Sequence, residues 1–106
     1  GALNVRSNRN TSRINYRDVL YIESLADYVK IHRVYGEPVH SREKISHLEQ
    51  LLPAMFIRIH RSFIVNRSTI TAFSREQLRV GEKELPISRS YRKKVIAELE
   101  GGTNCS

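Results

Sequence analysis

Three short stretches of this chain carry side chains suited to recognising a charged, hydrogen-bonding partner. The first is FIRIHRSFIVN, residues 56–66. Read as a strand, Ile57 and Ile59 point one way, and Phe56, Arg58 and His60 the other. The count then puts Arg61 on the apolar face, followed by Phe63 and Val65. Burying an unpaired guanidinium is expensive. Either Arg61 is paired inside with a Glu, or the strand breaks near His60–Ser62 and Arg61 swings out. Three consecutive polar residues favour the break, and an arginine projected from a kink is a good probe for a groove.

The second stretch is ISRSYRKK, residues 87–94. Ser90 suits the cap of a helix beginning at Tyr91, with Arg89 on the loop before it. Arg92, Lys93 and Lys94 then crowd the first turn, where cations oppose the helix dipole at about 0.3–1 kcal/mol each. A cation-rich helix start is also a strong phosphate seat, although a solvated basic face is the plainer reading. The third is Tyr28, with Lys30 beside it on the polar face of a strand. Tyr28 suits a base edge or a thymine methyl; a half-buried core tyrosine is the commoner outcome for such a residue.

Catalytic constellations are poorly represented. His32, His40, His47 and His60 show no metal-ligand spacing with carboxylates. No Gly-rich phosphate loop or nucleophile elbow occurs. A Glu23–Asp27 acid pair would straddle a strand and its loop. We therefore expect no enzyme and no cofactor. Cys105 is the only cysteine, so one chain can hold neither a disulfide nor a cysteine-based zinc site.

The chain must position these residues with 106 amino acids, enough for one modest core. Its net charge is +7, from thirteen Arg and five Lys against eleven acids. Such a balance points first to nucleic acid and second to a membrane surface or an acidic protein. No apolar run approaches a membrane span of about 20 residues and no signal peptide is visible, so a cytoplasmic protein is expected. Three Asn-X-Ser/Thr sites are then chance matches. The chain does not open with Met, and we expect a piece of a longer protein.

The elements read as short strands. Residues 3–7 and 11–16 form a first hairpin; 20–24 and the DYVKIHRV run follow, then a turn at Tyr35–Glu37 into PVHS. Ile45, Leu48, Leu51 and Leu52 mark one amphipathic helix, with Ser41 as its expected cap and Pro53 just beyond its end. Strands are expected at 56–60, 63–66, 70–74, 77–80 and 83–87. The helix from Tyr91 to Leu99 should end at Gly101-Gly102. This is a mainly β fold of short antiparallel sheets, a β-β-β sandwich, with a small central helix and a C-terminal helix. No long helix is available for a DNA groove, so loops would do any reading.

The runs YRDVLYIESLADYVKIH, KISHLEQLLP, FIRIHRSFIVN and LPISRSYRKKV, in this order and spacing, resemble the LytTR DNA-binding domain family. The resemblance covers residues 3–100, leaving 101–106 as a tail. It implies the DNA-binding output domain of a bacterial, two-component transcriptional regulator, with a receiver domain upstream. It implies double-stranded DNA as partner, read at tandem repeats in the major groove through loops. Base contacts would come from Tyr28, Arg61 and Arg89. Lys30, His60, Ser62, Ser88, Ser90, Arg92 and Lys93 would supply or support backbone contacts. The isolated domain is expected to be monomeric, pairing on DNA. An RNA-binding β-domain using the same loops is the main alternative. It would call for exposed aromatics that stack on bases. A protein–protein module is the third.

Overall fold

The computed structural model describes residues 1–102 and arranges them in three layers. The first is a hairpin of β1 (Ala2–Ser7) and β2 (Asn10–Asn15) together with helix α1 (Ile45–Leu51). The middle layer is a five-stranded antiparallel sheet of β3 (Val19–Leu25), β4 (Tyr28–Arg33), β5 (Val39–Ser41), β6 (Phe56–His60) and β7 (Phe63–Asn66). Its spatial order is β5-β4-β3-β7-β6. The third layer is a small sheet of β8 (Ile70–Phe73), β9 (Gln77–Val80) and β10 (Lys83–Pro86), with helix α2 (Arg89–Gly102).

The middle sheet is a wall between two cores. Leu3, Val5, Ile14, Ile22, Ile31, Leu48 and Ile64 close one side. Tyr21, Ile57, Ile59, Val65, Leu78, Leu85 and Val95 close the other. The neighbours Ile64 and Val65 therefore enter different cores, and β7 is buried on both faces. This refines the period-2 reading: Val65 does share a core with Ile57 and Ile59, but Ile64 is equally apolar and equally buried.

Two expected helix caps are corrected. Ser41 does not cap α1. It pairs with Val29 as the last residue of β5 and is buried, so the sheet claims it first. Lys44 stands at the cap position and makes no side-chain cap bond. Nor does α2 begin at Tyr91. The Tyr91 amide donates to the Ser88 carbonyl at 3.1 Å, so the first turn closes earlier and helix starts at Arg89. Ser90 thus lies inside the first turn, and Arg89 is the first helical residue rather than part of a loop. At the other end α2 carries through Gly101 and Gly102 instead of stopping before them. Cys105 lies outside the described residues.

One buried polar residue ties the layers at the end of β7. Asn66 is fully buried. Its Nδ2 donates to the carbonyls of Val19 at 2.8 Å and Tyr16 at 3.2 Å. Its Oδ1 accepts from the Ser68 amide at 3.0 Å and from the Ser68 hydroxyl at 2.9 Å. With both donors and both lone-pair directions used, the amide is satisfied and its burial is tolerable.

Candidate nucleic-acid interface

Antiparallel pairing fixes where the tips of these strands fall. Leu25 pairs with Tyr28, leaving Ala26-Asp27 as a two-residue turn between β3 and β4. Glu23 pairs with Phe63, so β7 starts beside the end of β3, and the Ser24 amide donates to the Ser62 carbonyl at 2.8 Å. His60 pairs with Phe63, leaving Arg61-Ser62 as the turn between β6 and β7. The Ser88 amide donates to the Ile59 carbonyl at 3.0 Å, which brings the start of α2 to the same place. The structure thus gathers Tyr28, His60, Arg61, Ser62, Ser88, Arg89 and Ser90 at one end of the middle sheet. Lys30 is set back, two residues along β4, half-buried and opposite Glu23 and His40.

Arg61 leaves the sheet because β6 runs out of partners. Arg58 opposes Ile64 and His60 opposes Phe63, with a register irregularity at Ile59 between them. The bulge lets Ile59 stay buried while the next residues turn. Arg61 is exposed and forms no ion pair among the described residues. The ion pair weighed for Arg61 belongs to Arg58 instead, and it is only partly buried, because Glu49 is exposed. The Arg58 side chain is only 11% exposed and its Nη1 bonds Glu49 of α1. Its Nε donates to the His60 carbonyl at 2.8 Å and its Nη2 to the Arg61 carbonyl at 2.7 Å. The same guanidinium lies 5.7 Å from the centre of the Tyr91 ring. One cation thus holds the carbonyls of the turn and touches the first turn of α2.

His60 is a fixed acceptor. The Ser62 amide donates to its Nδ1 at 3.0 Å, which leaves the proton on Nε2. Burial first, then the charges of Arg61 and Arg58, hold its pKa below the ordinary histidine value. Tyr28 is half-buried, with its ring 5.5 Å from that of His40. Its turn is strained, because Ala26 has φ +43°.

The first turn of α2 holds no acid. Arg92 Nη2 donates to the Ile87 carbonyl at 3.2 Å, so part of its fork anchors the linker into the helix. The Ser88 and Ser90 hydroxyls are 3.4 Å apart. Lys93 is exposed. Two basic side chains at this end do not stand out in the sequence. Arg58 reads in the sequence only as a polar-face strand residue. Arg75, in the β8–β9 turn, sits beside Arg89, Arg92 and Lys93. The one available signal was its place in SREQ, a polar turn between two expected strands.

The acid pair considered from sequence has another role. Glu23 bonds His32 at 3.0 Å, and His32 stacks on Tyr21 with ring centres 4.2 Å apart. Burial, and secondarily the Glu23 charge, raises the Tyr21 pKa. No cluster of three metal-ligating side chains occurs among the described residues, and none of their helices is long and apolar enough to cross a membrane.

A three-layer β domain that carries exposed arginines on short tips at one end belongs to the class of small, loop-presenting recognition domains. The comparisons make that specific. Residues 9–100 match the LytTr DNA-binding domain, and the chain belongs to that family. It is 29% identical over 86 residues to an uncharacterized response regulatory protein of Vibrio cholerae serotype O1. That alignment covers 73% of this chain and 33% of the relative, so the chain spans about a third of the relative's length. A solved LytTr DNA-binding domain from Bacillus cereus shares the fold, with TM-score 0.76 and 23% identity over 94% of this chain and 96% of that one.

Proposed function

We propose that this domain is the DNA-reading output unit of a response regulator, acting in the cytoplasm below a receiver domain carried elsewhere in the protein. Tyr28, Arg61 and Arg89 read base edges. His60, Ser62, Ser88, Ser90, Arg92 and Lys93 hold the backbone, with Lys30 in support. The observation that carries this reading is the convergence of the three tips on one end of the sheet. Two strand spacings separate the β3–β4 turn from the β6–β7 turn, roughly 10 Å. That is about three base-pair steps along a duplex. Arg61 and Arg89 can each present a two-pronged donor to guanine. Tandem repeats follow if two monomers pair only on DNA, each reading one repeat in the major groove.

The RNA reading has less support. It needs aromatic platforms beside the basic tips. Among the described residues the most exposed aromatics are Tyr35, in the β4–β5 loop, and Phe73, on the edge strand β8. At the reading end stand Tyr28, Phe63 and Tyr91, and all three are half-buried.

The test is fluorescence anisotropy of the domain on a selected duplex through a salt series. About five phosphate contacts give a log–log slope near −4 to −5. Arg61→Ala and Arg89→Ala should each cost about 1–3 kcal/mol on the selected site and relax its sequence preference. Binding that shows no preferred sequence and ignores both changes would reduce the site to a basic surface.

A further inference from the structure

A cluster of positive charge lies just beyond Arg89, in an open groove between α2 and the β8–β9 turn. Arg75, Arg89, Arg92 and Lys93 line it, with Ile96 along its floor and Glu100 among its walls. Arg75 comes from the β8–β9 turn, far from the others in sequence. The Ile87 amide donates to the Glu76 carbonyl at 2.9 Å, one residue before Ser88 bonds Ile59. Those two bonds pin the β8–β9 turn to the same end of the molecule as the reading tips. Arg75, Arg89 and Lys93 are exposed and make no ion pair among the described residues. Arg92 Nε is buried and has no hydrogen-bond partner among the described residues. Four cations against one carboxylate, at the positive end of a helix dipole, repel one another in the free domain. A polyanion relieves that repulsion, and an open groove suits a continuous strand better than a small enclosed ion.

We propose that this groove is a fourth DNA contact, in which Arg75 binds a backbone phosphate on the side of Arg89 away from Tyr28. It rests on the DNA-reading function and extends it: the β8–β10 sheet, which supplies none of the reading tips, becomes part of the footprint. The contact carries charge but no base information.

The test compares Arg75→Gln with Arg79→Gln in the intact domain. Arg79 is an exposed cation on the same hairpin, 3.6 Å from Glu84, so its removal changes the same formal charge. Arg75→Gln should weaken a selected duplex and an unrelated one by the same factor, roughly three- to tenfold at low salt. The salt slope should flatten by about 0.9. Arg75→Lys should recover most of the loss, and the thermal midpoint should not move. Shortening the duplex from the α2 side should erase the difference between wild type and Arg75→Gln. An Arg75→Gln curve that overlays wild type at every salt concentration overturns the proposal. So does an equal loss in Arg79→Gln, which would indicate only the field of the whole molecule. If the wild-type domain shows no salt-dependent DNA binding, the proposed function fails, and this contact with it. Wild-type binding that is indifferent to Arg75 removes this contact alone.

Discussion

The guanidinium of Arg58 bonds the main-chain carbonyl of Arg61 at 2.7 Å. The exposed arginine is held by the half-buried one three residues before it. Arg58 also bonds the carbonyl of His60 and the carboxylate of Glu49. The β6–β7 turn is therefore fixed to α1 on the opposite layer rather than free to flap.

Replacing Arg58 by Met keeps the stem and removes the fork. Three charge-assisted hydrogen bonds disappear and two carbonyls lose their donor. We expect a stability loss of about 2–4 kcal/mol. DNA affinity should also fall at temperatures where the variant is fully folded. Urea unfolding and anisotropy measure the two effects separately. A variant with wild-type stability would show that the turn holds itself.

Asn66→Ala leaves the Val19 carbonyl and the Ser68 amide without their side-chain partner, while the Tyr16 carbonyl keeps its bond from the Val19 amide. The expected cost is about 1–3 kcal/mol, chiefly from the buried Val19 carbonyl. Calorimetry should show a lower midpoint with unchanged secondary structure by circular dichroism.

His60 gives a pH signature. Its folded pKa lies below the unfolded value of about 6.5. The folded state favours the neutral ring. The stability this provides is complete above pH 6.5 and declines as pH falls from there toward the lower folded pKa. A phosphate beside the ring acts in the opposite sense and draws the pKa upward, so DNA binding should tighten as pH falls through the same window. An NMR titration of the imidazole, free and bound, reads both shifts. Identical curves would place His60 away from the backbone.

Ala26 occupies the left-handed region at φ +43°. Glycine adopts that conformation without the Cβ penalty, although it adds freedom to the unfolded chain. Ala26→Gly should therefore be mildly stabilising, by up to about 1 kcal/mol in urea unfolding. A net loss would mean that the alanine methyl makes a compensating contact.

Much of this architecture was legible from alternation. The strands at 56–60, 63–66 and 77–80 lie where the pattern put them. The kink that expels Arg61 was visible because a charge cannot sit unpaired in an apolar row. The misses have one cause, which is that tertiary pairing overrules local preference. Ser41 and Ser90 are good caps in isolation, yet a strand took the first and an earlier helix turn absorbed the second. The double burial of β7 leaves no period-2 signature, since both faces are apolar. Arg58 and Arg61 are indistinguishable by type, and only the bulge at Ile59 decides which is held and which is free. Arg75 comes beside Arg89 through the β8–β9 hairpin, a relation that no local spacing encodes.

The two hairpin turns at Ala26-Asp27 and Arg61-Ser62 hold only two residues each, and they rest on a sheet whose apolar side chains lie in two cores behind them. The exposed side chain of Arg61 sits on such a tip, and that of Arg89 at the first position of α2, so both can be exchanged without opening either core. Under the proposed function, the recognition code and the folding stability of this domain are separately adjustable. A lineage could acquire a new operator by changing its tips while its cores stay the same.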